Sequence, residues 1–254
     1  MTTPLRNSIC SLLCLSSFPA VAATITWSTS PAVNTTEVNN LGVQIFGYAF
    51  SSLTGTATLN GATFTYLNNE GLPMSAANAQ TPGFQRFLDT ATSHTETNDL
   101  FYQGPNTQLA QIMDGLTWGG NTQFQLNNLT PGTNYLFQIF SSDDRIDFIN
   151  RVADYDSSWT TPDGSRQLEN IDYTAGGPWT DPATRFKIFT GTFTADAPTQ
   201  QILTNISGEA GQIDLNAIQL RVVVPEPGSG SLLVGAFSLA GTLRRRRLDA
   251  PART

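Results

Sequence analysis

Residues 129–140 read Leu-Thr-Pro-Gly-Thr-Asn-Tyr-Leu-Phe-Gln-Ile-Phe. Pro131-Gly132 turns the chain, and Tyr135 opens a run through Phe140 that reads as a strand. A tyrosine at that point hydrogen-bonds back to the turn backbone, as in the tyrosine corner of Greek-key sandwiches. Short strand signals recur on both sides: Thr24 to Trp27, Val43 to Phe50, Thr56 to Leu59, Thr63 to Tyr66, Thr122 to Leu126, Phe186 to Phe193, Gln201 to Ile206 and Ile213 to Val224. Asn60-Gly61 between two of them is a hairpin turn signal. One helix is expected from Thr107 to Leu116, where Leu109, Ile112, Met113 and Leu116 fall on one face. Strands spread over 200 residues with long polar loops predict an all-β, antiparallel β-sandwich of jelly-roll type with one short helix.

Both ends of the chain differ from this middle. At the front, Arg6 is followed by the apolar residues 9–18 and by Ala20-Val21-Ala22, the pattern of a secretory signal helix with its cleavage site. Val21-Ala22-Ala23 is a second usable site, so the cut falls after Ala22 or Ala23. The domain division is then 1–23 for the signal peptide, 24–224 for the sandwich and 225–254 for the tail. The reading implies Sec-type export machinery and a signal peptidase as partners. Cys10 and Cys14 both lie in the leader, and the mature chain holds no thiol. Leu13 directly before Cys14 departs from the small-residue pattern of a lipoprotein site.

The tail has three parts in order: Pro225-Glu226-Pro227, the apolar or small residues 231–243, and Arg244, Arg245, Arg246 and Arg247. Pro-Glu-Pro neither continues a strand nor starts a stable helix, so it presents an extended segment to a processing enzyme. As a hydrophobic helix, the apolar run would be about 20 Å long against a hydrocarbon core of about 30 Å. Four arginines after it hold that end on the cytoplasmic side and leave the domain outside. The order and spacing of these elements resemble the PEP-CTERM sorting signal, the recognition segment of exosortase substrates in Gram-negative bacteria. That resemblance covers about 24 residues. It implies an exosortase-like processing enzyme as a partner, transient inner-membrane anchoring, cleavage near the tripeptide, and delivery to the cell surface or extracellular matrix. Here Leu248 to Thr254 follow the basic block, whereas such tails usually end at or just after it.

Without its ends the chain is acidic. Residues 24–224 hold seven basic and eighteen acidic side chains, a net charge of −11, while the whole chain carries −7. Such a domain repels a phosphate backbone, so nucleic acid is not an expected partner. Charged residues are 13% of the whole, against about 25% in ordinary soluble domains, and the surface is correspondingly rich in Thr, Asn, Gln and Ser.

Two stretches, Leu129 through Tyr135 to Arg145 and Gly191-Thr192-Phe193-Thr194-Ala195-Asp196 with the closing strand around Asn216-Ala217-Ile218-Gln219-Leu220, resemble galactose-binding-like jelly rolls of the malectin-like or carbohydrate-binding-module type. The resemblance implies the fold over residues 24–223 and carries no ligand residue with it.

Candidate sites follow from residue chemistry. Ser141 to Asp156 is the densest polar segment and reads as a loop. Asp143, Asp144 and Asp147 are its candidate calcium ligands, since Ca²⁺ takes six to eight oxygens. The alternative is a solvated loop in which Arg145 and Arg151 pair with the acids. Trp118, Trp159 and Trp179 lie in Gly-rich or polar stretches that read as loops, with Tyr155 and Tyr173 near them. Trp118, Trp159, Trp179 and Tyr155 are candidates for stacking on a sugar face or, alternatively, for structural packing. Trp27 belongs to the first strand and is expected in the core. His94 is the only histidine; a catalytic triad would depend on it, and zinc held by two histidines is excluded by count. No catalytic residue is therefore assigned and no cofactor is expected, calcium being the one candidate. The function expected is a non-catalytic surface or matrix protein that associates with extracellular polysaccharide. The alternatives are a purely structural matrix component and a glycoside-active enzyme using two of the carboxylates.

Overall fold

A computed structural model describes residues 23–68, 72, 74–87, 102, 106–119, 122–141, 151–156, 169–171, 186–208 and 213–223. In chain order the elements are β1 (Thr26–Pro31), a 3-10 turn (Thr35–Glu37), β2 (Val43–Phe50), β3 (Thr56–Leu59), β4 (Ala62–Leu67), α1 (Met74–Ala79) and β5 (Phe84–Phe87). Then come α2 (Thr107–Met113), β6 (Thr117–Gly119), β7 (Thr122–Leu126), β8 (Asn134–Ser141), β9 (Arg151–Asp156) and β10 (Glu169–Ile171). The set closes with β11 (Lys187–Thr194), β12 (Gln200–Gly208), β13 (Ile213–Leu215) and β14 (Ala217–Val222). The fold is all-β with few helices.

Seven strands form the larger sheet in the order β1-β11-β8-β14-β2-β4-β3, and five form the second in the order β10-β9-β12-β7-β5. β13 and β6 pair as a separate ribbon. Alternation explains how the two large sheets meet. Tyr135, Phe137 and Ile139 of β8, Phe189 and Phe193 of β11, and Ile218 and Leu220 of β14 point to one side. There they join Phe84, Phe124, Leu126 and Ile202 from the five-stranded sheet in one core, with Trp27 among them as expected. The Tyr135 hydroxyl accepts a hydrogen bond from the Thr130 N–H at 2.8 Å, so the tyrosine does tie the strand to its turn. Asn60 and Gly61 have φ of 47° and 77°, the backbone that a two-residue hairpin turn requires.

The opposite face of the large sheet is also covered, in two different ways. At one end, Ala49, Phe64, Phe140, Ile188 and Ala217 form a second core with Leu109, Ile112 and Met113 of α2. α2 starts where Asn106 accepts from the Gln108 N–H. Past its end the fully buried Asn216 amide donates to Met113 O and Gly115 O, at 2.8 and 3.0 Å. At the other end the same face is polar. Gln138, Gln219 and Arg221 are buried beneath the segment 37–42, which crosses them as a strap. Gln138 accepts from the Asn39 N–H and donates to Glu37 O; Gln219 donates to Asn39 O. Arg221 donates to Asn40 O, Leu41 O and Gly42 O. Burial on both faces is why β8 and β14 read as nearly continuous runs rather than as clean alternations.

The structure corrects several expectations. The sheet is mixed rather than purely antiparallel, because β2 and β4 run parallel through Tyr48↔Thr65, Ala49↔Tyr66 and Phe50↔Leu67. Where these two strands splay apart, the Gln44 amide accepts from Thr63 N–H and donates to Thr63 O, standing in for the missing backbone partner. The single strand expected from Ile213 to Val224 is broken at Asn216, and its halves belong to different sheets. The last six residues of the supposed loop Ser141 to Asp156 are the strand β9, which pairs with β12. Trp118 lies on β6, not in a loop, opposite Asp214 of β13. The signal segment and the tail lie outside the described residues, among which no helix is long and apolar enough to cross a membrane.

Candidate functional site: an uncharged groove at the chain ends

The strands β1, β11, β8 and β14 all reach one end of the sandwich. An open groove of about 450 Å³ lies there, lined by Thr24, Thr26, Asn134, Tyr135, Thr192, Phe193, Thr194 and Val223. Its polar wall comes from alternation. In β11, Phe189 and Phe193 enter the core, so Thr192 and Thr194 face out. The register sets Thr26 of β1 opposite Thr192, and Asn134 of β8 opposite Thr194. The Thr194 hydroxyl donates to Asn134 Oδ1 at 2.6 Å. The rings of Tyr135 and Phe193, stacked 5.6 Å apart, lie on the inner face of the same strands, in the core behind this wall.

Four threonine hydroxyls and one carboxamide, with no charged side chain among the described lining residues, suit a neutral ligand rich in hydroxyl groups. Each hydroxyl both donates and accepts. Among the described residues the groove has no carboxyl, imidazole or amine, and the Tyr135 hydroxyl is already engaged with Thr130 N–H. These residues can bind and orient, and they supply no general acid or base.

One carboxyl elsewhere is perturbed. Burial holds the Asp114 pKa above the ordinary carboxylate range, against the opposing hydrogen bond from Tyr102 N–H. Asp114 sits at the C-terminal end of α2, where a negative charge opposes the helix dipole, and its Oδ1 has no partner. A raised carboxyl pKa means that the folded state favours the proton, so Asp114 lowers stability increasingly as pH rises through its folded pKa. Asp114→Asn is expected to raise the melting temperature at pH 7 by a few degrees and to have little effect near pH 3. Thermal melts at both pH values check this; equal shifts at both would mean that charge is not the cause.

The structure brings together few of the residues singled out in the sequence. Asp143, Asp144 and Asp147, Trp159, Trp179 and Tyr173, His94, Pro225, Glu226, Pro227 and Arg244 to Arg247 all lie outside the described residues. Trp118 and Tyr155 are placed on β6 and β9 by their backbones. Among the described residues no group of three or more His, Cys, Asp or Glu is arranged to hold a metal ion. The groove itself was missed. The alternation Thr192-Phe193-Thr194 was its one visible signal, whereas Thr26 and Asn134 join it only through strand pairing and Thr24 through the segment that leads into β1. No protein-family model matches the chain, and a search of curated proteins returns no match.

Proposed function

We propose that this is an exported, non-catalytic protein of the cell surface or extracellular matrix that associates with neutral polysaccharide through the groove at its chain ends. In this reading the sandwich is a galactose-binding-like jelly roll, the leader is removed on export, and the Pro225-Glu226-Pro227 tail directs sorting by an exosortase-like enzyme. One observation supports the polysaccharide step above the others: the described lining of the groove is threonine hydroxyls and an amide with no charge, in a domain that is otherwise strongly acidic. Hydroxyls and amides, which both donate and accept, match the hydroxyl groups of a sugar.

A glycan array probed with the mature chain and with Thr192→Val tests the proposal. Valine keeps the branched shape of threonine and removes the hydroxyl. The expected result is binding to a neutral glycan that falls at least tenfold in the variant, with melting temperature unchanged within about 2 °C. An array blank for the wild type would favour a purely structural matrix component. Binding indifferent to Thr192→Val would move the site elsewhere on the domain.

A further inference from the structure

Thr24, at the start of the domain, and Val223, at its end, line the same groove. Val223 N–H donates to Asn134 O at 2.9 Å, and Val222 pairs with Val43. The chain therefore enters and leaves at one end of the sandwich. The strap residues 39–42, the turn 60–61 and the loops 80–83, 127–133 and 195–199 reach the same end. The register places them there: Phe84 lies opposite Leu126, Val222 opposite Tyr135, and Thr194 opposite Asn134.

Two properties set this end apart. Among the residues of those segments only Asp196 is charged, in a domain that carries eighteen acids. Its rim is also apolar: Leu41, Val43 and Ile45 are 61%, 59% and 54% exposed. Leu53, a fourth exposed aliphatic, lies beyond the far end of β2. Seven residues, 224–230, separate Val223 from the apolar run 231–243, and they span at most about 24 Å.

We propose that this end is the face the domain turns toward a phospholipid bilayer, with Leu41, Val43 and Ile45 as an apolar foot in the headgroup region beside the tail. The proposal rests on the reading of 231–247 as a membrane-seated tail. That run of 13 residues is short for a bilayer, so a second contact by the domain adds to a weak hold. With Asp196 the one exposed charge in these described segments, this end carries less of the desolvation cost than the acidic remainder of the domain would. While the tail holds, the groove faces lipid; once the tail is cut, it faces the surroundings.

The mature chain has no cysteine, so single-site labelling is clean. Val43→Cys and Leu53→Cys, each in the chain 24–254 and carrying an environment-sensitive NBD fluorophore, are mixed with phosphatidylcholine vesicles. The expected result is a blue shift and brightening at position 43 on vesicle binding and no change at position 53. In the unlabelled chain, Val43→Asn with Ile45→Asn lowers the vesicle-bound fraction at least fivefold at unchanged melting temperature. Partition of the wild-type chain with no emission change at 43, or with equal change at both positions, would overturn the foot and leave the tail reading standing. A blue shift at 43 before vesicles are added would show the strip covered by the tail or by a second copy, and would also overturn it. A chain that does not partition at all would sink the tail reading, and the foot with it.

Discussion

Gly42→Ala lowers the melting temperature by roughly 6–20 °C. Gly42 sits between the strap and β2 with φ at 70°, a conformation that costs an L side chain about 1–2 kcal/mol. The larger penalty is contact. A Cβ on Gly42 would lie 1.9 Å from Val222 O and 3.1 Å from the Cα of Val223. Both atoms are backbone, and Val222 is held in register by β2 on one side and β8 on the other. Neither can move without disturbing the centre of the large sheet. The total expected cost is about 3–5 kcal/mol, which for a domain of this size corresponds to roughly 6–20 °C. Gly132 supplies the control. Its φ is 80°, but a Cβ there meets nothing within 4 Å. Gly132→Ala should therefore lose about 1 kcal/mol, from backbone conformation alone. If the two variants melt together, close approach at Gly42 is not what demands the glycine.

Strand positions were largely legible in the sequence, and strand partners were not. The bounds of β2, β3 and β7 agree with the reading of the residues, and β8 and β11 differ by one residue at each end. Apolar runs and turn signals carry that information locally. The direction of pairing does not show in such a pattern. β2 and β4 each read as ordinary strands, and nothing in either run distinguishes a parallel neighbour from an antiparallel one. Asn216 looked like an interior residue of one long strand. Its amide instead bonds carbonyls about 100 positions away, at Met113 and Gly115, and the break it marks follows from that remote contact. β5 escaped notice because it is four residues long and contains Arg86. Asn78 donates to Arg86 O and accepts from Arg86 N–H, satisfying the strand edge with a side chain. The groove was hidden for the same reason as the sheet order: its threonines come from β1 and β11, more than 160 positions apart in sequence.

Arg221→Met is the second variant with a large expected effect, and it acts on the same strap from beneath. Arg221 is 4% exposed. Burial lowers its pKa from the usual guanidinium value, the expected direction for a cation removed from water. Carbonyl oxygens supply the compensation: Nε donates to Leu41 O at 2.7 Å, and Nη2 to Asn40 O and Gly42 O at 2.9 and 3.1 Å. Nη1 reaches Gln219 Oε1 at 3.3 Å. Methionine fills much of the same volume and removes the buried charge, which on its own would be favourable. It also leaves three backbone carbonyls and one amide oxygen without their donor. Each such loss costs about 1–3 kcal/mol where water cannot replace the arginine. Residues 40–42 are themselves exposed, so part of the loss is recovered by hydration. The expected net cost is about 2–4 kcal/mol. Arg221→Lys should fall between the two, since one ammonium cannot reproduce a fork that serves three carbonyls. The local signature is faster hydrogen exchange at Asn39 N–H, which is bonded to Gln138 Oε1 and would be released as the strap lifts. Because Gly42→Ala also displaces the strap, the two losses should not add. The double variant is expected to melt at least 1 kcal/mol above the sum of the single effects. Full additivity would mean that Gly42 acts only through its contact with Val222, and that the strap lies on the sheet without holding it.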